Sequence, residues 1–290
     1  MNTEQIGQAT PDNSIPIEAW NTILFEKFSR FKYVMTKGLS GHSEAFLRQR
    51  PYPAGARVLD VGCGWGDTAQ QIARQVGPSG SVVGIDCARN FVDAAIEDAK
   101  TANAKGVSFV AADVQTDDLN GPYDFAFSRF GTMFFNMPVP ALRNIKNALR
   151  PGGELAMIVW RKREDNAWIH KAEQIVRGIV PVVSHEETSE VHCGPGPFSM
   201  AGADMVSDML RIAGFEHSTF QRYVADIFIV DFAMAIGPAG EIIRLAGAEG
   251  QKRKDQVIAA LRETFADNLR NDGVWLSSSS WFVTARRPGN

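Results

Sequence analysis

Three acids stand at the ends of three apolar runs: Asp60 in "VLDVGCGWGDTA" (58–69), Asp86 in "SVVGID" (81–86) and Asp113 in "VSFVAAD" (107–113). After the first of them, Gly62, Gly64 and Gly66 alternate with Cys63 and Trp65. Glycine is costly in backbone entropy, so a cluster of it implies a backbone that turns sharply or is closely approached. A carboxylate at the end of a buried strand is unfavourable unless donors reach it. The combination predicts a crevice whose occupant donates to three carboxylates and meets bare backbone beside one of them.

Three occupants compete for the glycine turn. A dinucleotide site needs G-x-G-x-x-G, with the pyrophosphate at the N-terminus of the following helix. Counted from Gly62, the third glycine would fall at Asp67, an acid where a phosphate would lie, and the Walker lysine pattern is missing too. A nucleoside carrying a cationic amino-acid end, of which S-adenosylmethionine is one, suits the acids better. Asp60 would hold its ammonium group, Asp86 would accept from both ribose hydroxyls, Asp113 would accept from the adenine amino group, and Val114 would offer a backbone N–H to the ring. The third reading is a tight turn with no ligand, which suits a single acid capping a helix but is weak for three in succession.

Elements must hold these acids together. "ARVLDV" (56–61), "SVVGID", "VSFVAAD", "YDFAFS" (123–128) and "ELAMIVW" (154–160) have the short, β-branched character of strands. Between them Ala69, Ile72, Ala73 and Val76, then Phe91, Val92, Ala95, Ile96 and Ala99, recur at helical spacing, and Gly77-Pro78 stops the first helix. A third helix over 139–149 is ended by "RPGG". Strands alternating with helices predict a parallel sheet covered on both faces, with ligands beyond the carboxyl ends of the strands where strand order reverses. Past 160 the pattern loosens. A helix is expected over 166–180, and another over 199–215 with Ser199 as its cap, Met205, Met209 and Ile212 on one side and Gly214 at its end. β-like runs follow near 217–229 and 275–286, around one or two helices in 239–270.

The totals bound the partners. With 290 residues, 44% hydrophobic and 22% charged, the chain has an ordinary globular composition, and its formal charge of -3 gives no general attraction to nucleic acid or an anionic membrane. No apolar stretch reaches the length of a membrane span, and "MNTEQIGQATPDNS" has no signal-peptide core. Cys63, Cys87 and Cys193 match neither a disulfide framework nor a zinc spacing, so a reduced, cytoplasmic setting is expected, with no metal.

In order and spacing, "VLDVGCGWG", "VVGIDCARNFVDAA", "FVAADV", "YDFAFSRFGTMFF" and "LRPGGELAMIVW" resemble the successive motifs of the class I S-adenosylmethionine-dependent methyltransferases. They are most similar to the small-molecule branch that includes the ubiquinone/menaquinone C-methyltransferases and antibiotic-tailoring enzymes. The resemblance is strong over about 56–160 and weaker towards the end. It implies a Rossmann-like α/β fold: a seven-stranded sheet, mostly parallel with an antiparallel last strand, helices on both faces, and a helical lid and insertion. Its segments would be a lid (1–50), an S-adenosylmethionine-binding core (51–160), a helical insertion on the acceptor side (161–216), and the last strands with their helices (217–290). By motif matching, Asp60, Gly62, Cys63 and Gly64 fall at the methionine end of the cofactor, Asp86 with Cys87 at the ribose, Asp113 and Val114 at the adenine, and Ser128 beside the sulfonium. Trp65 departs from the pattern, since relatives often have a small polar residue there.

The acceptor is less legible. Trp20 and Phe31 in the lid, Phe130, Met133 and Phe134 in "RFGTMFF", and Trp168 in the insertion are expected to line its pocket. Such a lining suits a small apolar or aromatic molecule methylated on carbon or oxygen. No His/Asp or Cys/His catalytic signature appears; His42, after the lid, and His192, in the insertion, are the histidines to test as bases. "SRFG" stands where nucleobase- and glutamine-modifying relatives carry N-P-P-[YF], which argues against DNA and against glutamine methylation. The alternative keeps the fold but uses the cofactor, or a related ligand, for other chemistry or for regulation. The sequence leaves the oligomeric state open, a homo-oligomer included.

Overall fold

The structure, a computed structural model, describes residues 13–180, 195–229 and 240–289. Five strands arise where the apolar runs predict them: β1 (Arg57–Val61), β2 (Ser81–Asp86), β3 (Val107–Ala111), β4 (Tyr123–Arg129) and β5 (Leu149–Trp160). They are parallel and are joined through helices α4 (Asp67–Val76), α5 (Arg89–Thr101) and α6 (Pro138–Ala148). Here α1, α2 and α3 are the N-terminal helices Ser14–Ala19, Phe25–Ser29 and Ser40–Gln49. The two long C-terminal runs form β6 (Glu216–Ile229) and β8 (Gly273–Arg286), with the two-residue β7 (Leu269–Arg270) paired to β8. Sheet order is β3-β2-β1-β4-β5-β8-β6, and β8 runs antiparallel to β5 and β6. The expected seven strands are present, and β7 is an eighth, short addition. Order reverses between β1 and β4, so the crevice opens where Asp60 and Asp86 end their strands.

Several expectations are corrected. "RPGG" lies inside β5, which begins at Leu149 opposite Tyr123 and continues past a register shift, so the fifth strand is longer than 154–160. Ile96 is exposed on α5; Phe91, Val92, Ala95 and Ala99 carry the buried stripe. α7 spans Ala167–Ile179, and α8 is shorter than 199–215, running Ala203–Ala213. Ser199 is not its cap: its hydroxyl donates to Met133 O at 2.5 Å. Met205 and Ile212 face solvent, while Val206, Leu210 and Ala213 are buried against α6 and β6. Gly214 ends the helix in the left-handed region at φ 92°.

Two apolar cores result. The main one covers both faces of the sheet; a second joins Ala172 and Val176 of α7 to Ile243, Val257, Leu261 and Phe265 and to Val274 and Leu276 of β8. Residues 14–38 alternate α-helical and π-helical turns and contact α5 and β6. At Gly38 this segment comes so close to β6 that an added Cβ would lie 2.6 Å from Phe228 O.

Candidate functional site

The three glycines of the first turn are bare for different reasons. A Cβ at Gly62 would lie 3.1 Å from Gly131 Cα, so here the neighbour is the loop after β4. A Cβ at Gly66 would lie 2.5 Å from the Phe109 ring and 3.1 Å from Ala95 Cβ. Only Gly64, at φ 51°, faces open space, with nothing within 4 Å of the added atom. The amides of Gly62 and Cys63 both donate to Ile85 O, at 2.8 and 3.0 Å, locking the turn to β2. That of Gly64 donates to Asp86 Oδ2 at 3.0 Å, and Ala88 N–H donates to Asp86 Oδ1 at 3.0 Å.

Asp60 is 1% exposed, and its Oδ2 has no hydrogen-bond partner among the described residues. Burial pushes its carboxyl up to about 7; the charge of Arg129 and an N–H bond from Ala69 hold it back, while Asp67 and Asp86 add to the rise. Arg129 pairs with Asp67 at 2.8 Å and reaches towards Met35 O and Ser43 Oγ, both 3.4 Å away. Burial also raises Asp86, against three backbone N–H groups that stabilise its charge. The Cys63 and Cys87 thiols are both raised by burial and by nearby carboxylates, so both stay protonated. Ser128 Oγ, at the end of β4, is fully buried and without a partner among the described residues. Asp113 accepts from Gln115 N–H at 2.9 Å through Oδ1 and from Asn13 Nδ2 at 2.9 Å through Oδ2. Val114 follows it, buried, with its carbonyl accepting from Asn144.

The aromatic residues expected around the acceptor divide into two groups. Trp20 meets Phe134 edge-on at 5.0 Å and lies near Phe28 and Phe91, and Trp65 packs on Phe91 at 4.8 Å; the odd tryptophan of the glycine turn thus anchors the lid cluster. The other group is Phe130 stacked on Trp160 at 3.9 Å, with Trp168 beside Trp160 at 5.5 Å. Phe130 holds φ 58°, unusual for a bulky residue, so the loop is bent to deliver this stack. Met133 is core: it is 1% exposed and its Sδ accepts from Trp160 N–H. Phe31 is half-buried and makes no ring contact among the described residues.

His42 is buried between Phe130, Trp160 and Tyr223, with Nδ1 2.9 Å from Ser280 Oγ and Nε2 2.9 Å from Ser278 Oγ. Ser278 spends its only proton on Ala225 O, so it must accept from Nε2–H; Nδ1 then accepts from Ser280. Burial first, and Arg129 second, lower its pKa to about 3. This neutral, doubly bonded imidazole ties α3 to β8. His192, with His185, lies outside the described residues. Sequence reasoning missed Arg129, whose ion pair depends on a fold that brings residues 62 positions apart together. It also missed Asn166, fully buried and bonded to Ser279, Arg161, Lys162 and Trp168.

A family described as a methyltransferase domain matches residues 53–191. A demethylmenaquinone methyltransferase of Listeria welshimeri is 27% identical over 180 residues, covering 59% of this chain and 73% of that protein. Among solved structures, a Haemonchus contortus phosphoethanolamine N-methyltransferase 2 in complex with S-adenosyl-L-methionine superposes with a TM-score of 0.56 at 14% identity, covering 94% of this chain and 60% of that one. The YcgJ protein of Bacillus subtilis gives 0.53 at 16% identity, covering 85% and 98%. The comparisons thus support a class I S-adenosylmethionine-dependent methyltransferase domain over the matched half of the chain. The matched region holds the glycine turn and Asp60, Asp86 and Asp113. Among the described residues no helix is long and apolar enough to cross a membrane, and no cluster of three His, Cys, Asp or Glu could hold a metal ion.

Proposed function

We propose that the crevice at the carboxyl ends of β1, β2 and β3 holds S-adenosylmethionine and that the chain methylates a carbon or oxygen of a small apolar or aromatic acceptor. The observation that carries this reading is the buried Oδ2 of Asp60, without a partner among the described residues, beside the open face of Gly64, with Asp86 ending β2 and Asp113 just past the end of β3. These residues fit the cofactor. Asp60 and the turn at Gly64 would hold its amino-acid end, Asp86 would accept from the ribose, and Asp113 and Val114 would bound the adenine. Cys63, Cys87 and Ser128 would complete the walls, and Gly62 supports the turn from beneath. Asp86 Oδ2 accepts from Gly64 N–H and Oδ1 from Ala88 N–H, which leaves the carboxylate lone-pair capacity for a hydroxyl.

When bound, the cofactor supplies a methyl group activated by a sulfonium for in-line displacement. The chain's share is alignment and exclusion of water. The lid, with Trp20 on Phe91 and Phe134, would shut solvent from the crevice. Phe130 stacked on Trp160, with Trp168 beside Trp160, would wall a ring-shaped acceptor. The Listeria relative is named for a demethylmenaquinone, and an aromatic acceptor of that kind suits this lining.

Calorimetric titration with S-adenosylmethionine tests the reading, and absence of both heat and thermal stabilisation would refute it. Asp86→Ala is expected to weaken binding by about 1.5–3 kcal/mol, the scale of hydrogen bonds to a charged acceptor. Mass spectrometry of an acceptor library then identifies any molecule that gains a methyl group and yields S-adenosylhomocysteine in step with it.

A further inference from the structure

Asp113 is an acceptor, so the side chain against its Oδ2 must present a donor, and this fixes the orientation of the Asn13 amide: NH2 towards the carboxylate, carbonyl away. That carbonyl, Asn13 Oδ1, is buried and has no hydrogen-bond partner among the described residues. The second N–H of the amide is not used by Asp113. Asn13 thus brings an unpaired acceptor, flanked by a donor, to the end of β3. Side by side, an amide acceptor and donor match the amino group and adjacent ring nitrogen of an adenine edge, the pairing by which asparagine reads adenine in other settings.

The segment bearing Asn13 is held over the same crevice by independent contacts. Asn21 Oδ1 accepts from Asn90 N–H at 3.0 Å, and Asn90 Nδ2 donates to Asn21 O at 2.6 Å. Lys32 pairs with Asp98 on α5, and Trp20 lies against Phe134.

We infer that Asn13 is a base-reading residue of the lid: it bridges Asp113 to the adenine of the bound cofactor, so that the lid closes fully only over an adenine nucleoside. This rests on the crevice being the S-adenosylmethionine site. An inosine base, with a carbonyl in place of the amino group, turns an acceptor towards both Asp113 and Asn13 Oδ1.

The test is calorimetry of wild type, Asn13→Ala and Asn13→Asp with two probes, S-adenosylhomocysteine and its inosine counterpart. Wild type is expected to prefer the adenosyl probe by more than about tenfold, since two acceptors lose their donor. Asn13→Ala should lose about fivefold for the adenosyl probe and little for the inosyl one, narrowing the preference by that factor. Asn13→Asp, the same shape without the donor and with like charge against Asp113, should lose more. An unchanged preference in Asn13→Ala, or wild-type adenosyl affinity in Asn13→Asp, would overturn the inference. Failure of wild type to bind the adenosyl probe would instead overturn the cofactor site itself.

Discussion

Replacing the three turn glycines by alanine one at a time separates what the fold needs from what a ligand needs. All three hold positive φ, of 67°, 51° and 74° at Gly62, Gly64 and Gly66. Left-handed backbone costs alanine about 1–2 kcal/mol, partly offset by about 0.4–1 kcal/mol from a stiffer unfolded chain. Gly64→Ala adds no contact within 4 Å, so only that difference remains, about 1 kcal/mol or about 3 °C of melting temperature. Gly62→Ala must also push aside backbone at Gly131, and about 2 kcal/mol is expected. Gly66→Ala drives a methyl 2.5 Å from the Phe109 ring and towards Ala95, adding overpacking of about 1–3 kcal/mol, for a total near 3 kcal/mol. Affinity should follow another order. Measured well below the melting point, Gly64→Ala should weaken S-adenosylmethionine about tenfold or more, because its methyl enters the open face. Gly66→Ala should bind nearly as wild type. Urea unfolding and calorimetry on the three variants give both rankings. The reasoning fails if Gly64→Ala is the least stable of the set, or if it binds like wild type.

Two further outcomes follow from the charges around the turn. Asp60 has its pKa raised from 3.8 to about 7, so the folded protein holds this proton more tightly than the unfolded chain does. Its contribution is therefore favourable below about pH 4 and is lost as pH rises through 7. Asp60→Asn should remove that decline and be more stable than wild type near pH 8, by up to about 4 kcal/mol, with no gain near pH 4; parallel melts across pH check it. Arg129→Ala leaves Asp67 without its partner and removes the reach to Met35 and Ser43, so a loss of about 1–3 kcal/mol is expected in urea unfolding. It should also lift the Asp60 pKa further; a pH profile of stability identical to wild type would contradict that coupling.

How much was legible in the sequence follows from the range of the forces involved. Strand and helix positions in 56–160 were readable because apolar periodicity is local, and the three acids were readable because each stands at or just after the end of an apolar run. The reasons behind the glycines were not. Gly62 is bare for Gly131, 69 positions away by numbering, and Gly66 for Phe109; such contacts exist only after the sheet is ordered. The partners of His42 were hidden for the same reason, since its two serines lie on β8, 236 and 238 positions away. "SSSS" at 277–280 gave no hint of them, as a polar run ordinarily marks a solvated strand. On α8 the signal misled because Met205, Met209 and Ile212 satisfy helical spacing as well as Val206 and Leu210 do, and only the location of α6 decides which face is covered.

The ion pair between Arg129 and Asp67 bears directly on which ligand the turn can take. Asp67 opens α4, so it occupies the position where a helix N-terminus would otherwise attract a phosphate. Its carboxylate already answers both the helix dipole and the guanidinium of Arg129. An incoming pyrophosphate would have to displace Asp67 and would still face Asp86, whose charge adds to the burial that raises the Asp60 pKa. A ligand with an ammonium and a sulfonium meets the opposite field: each of its charges lowers the cost of ionising Asp60, and the site in turn holds it more tightly as Asp60 loses its proton. Binding at neutral pH should accordingly release a fraction of a proton, and a phosphate-bearing dinucleotide would take one up. The sign of that exchange discriminates the two ligand classes with the same glycine-rich turn, independently of any reaction.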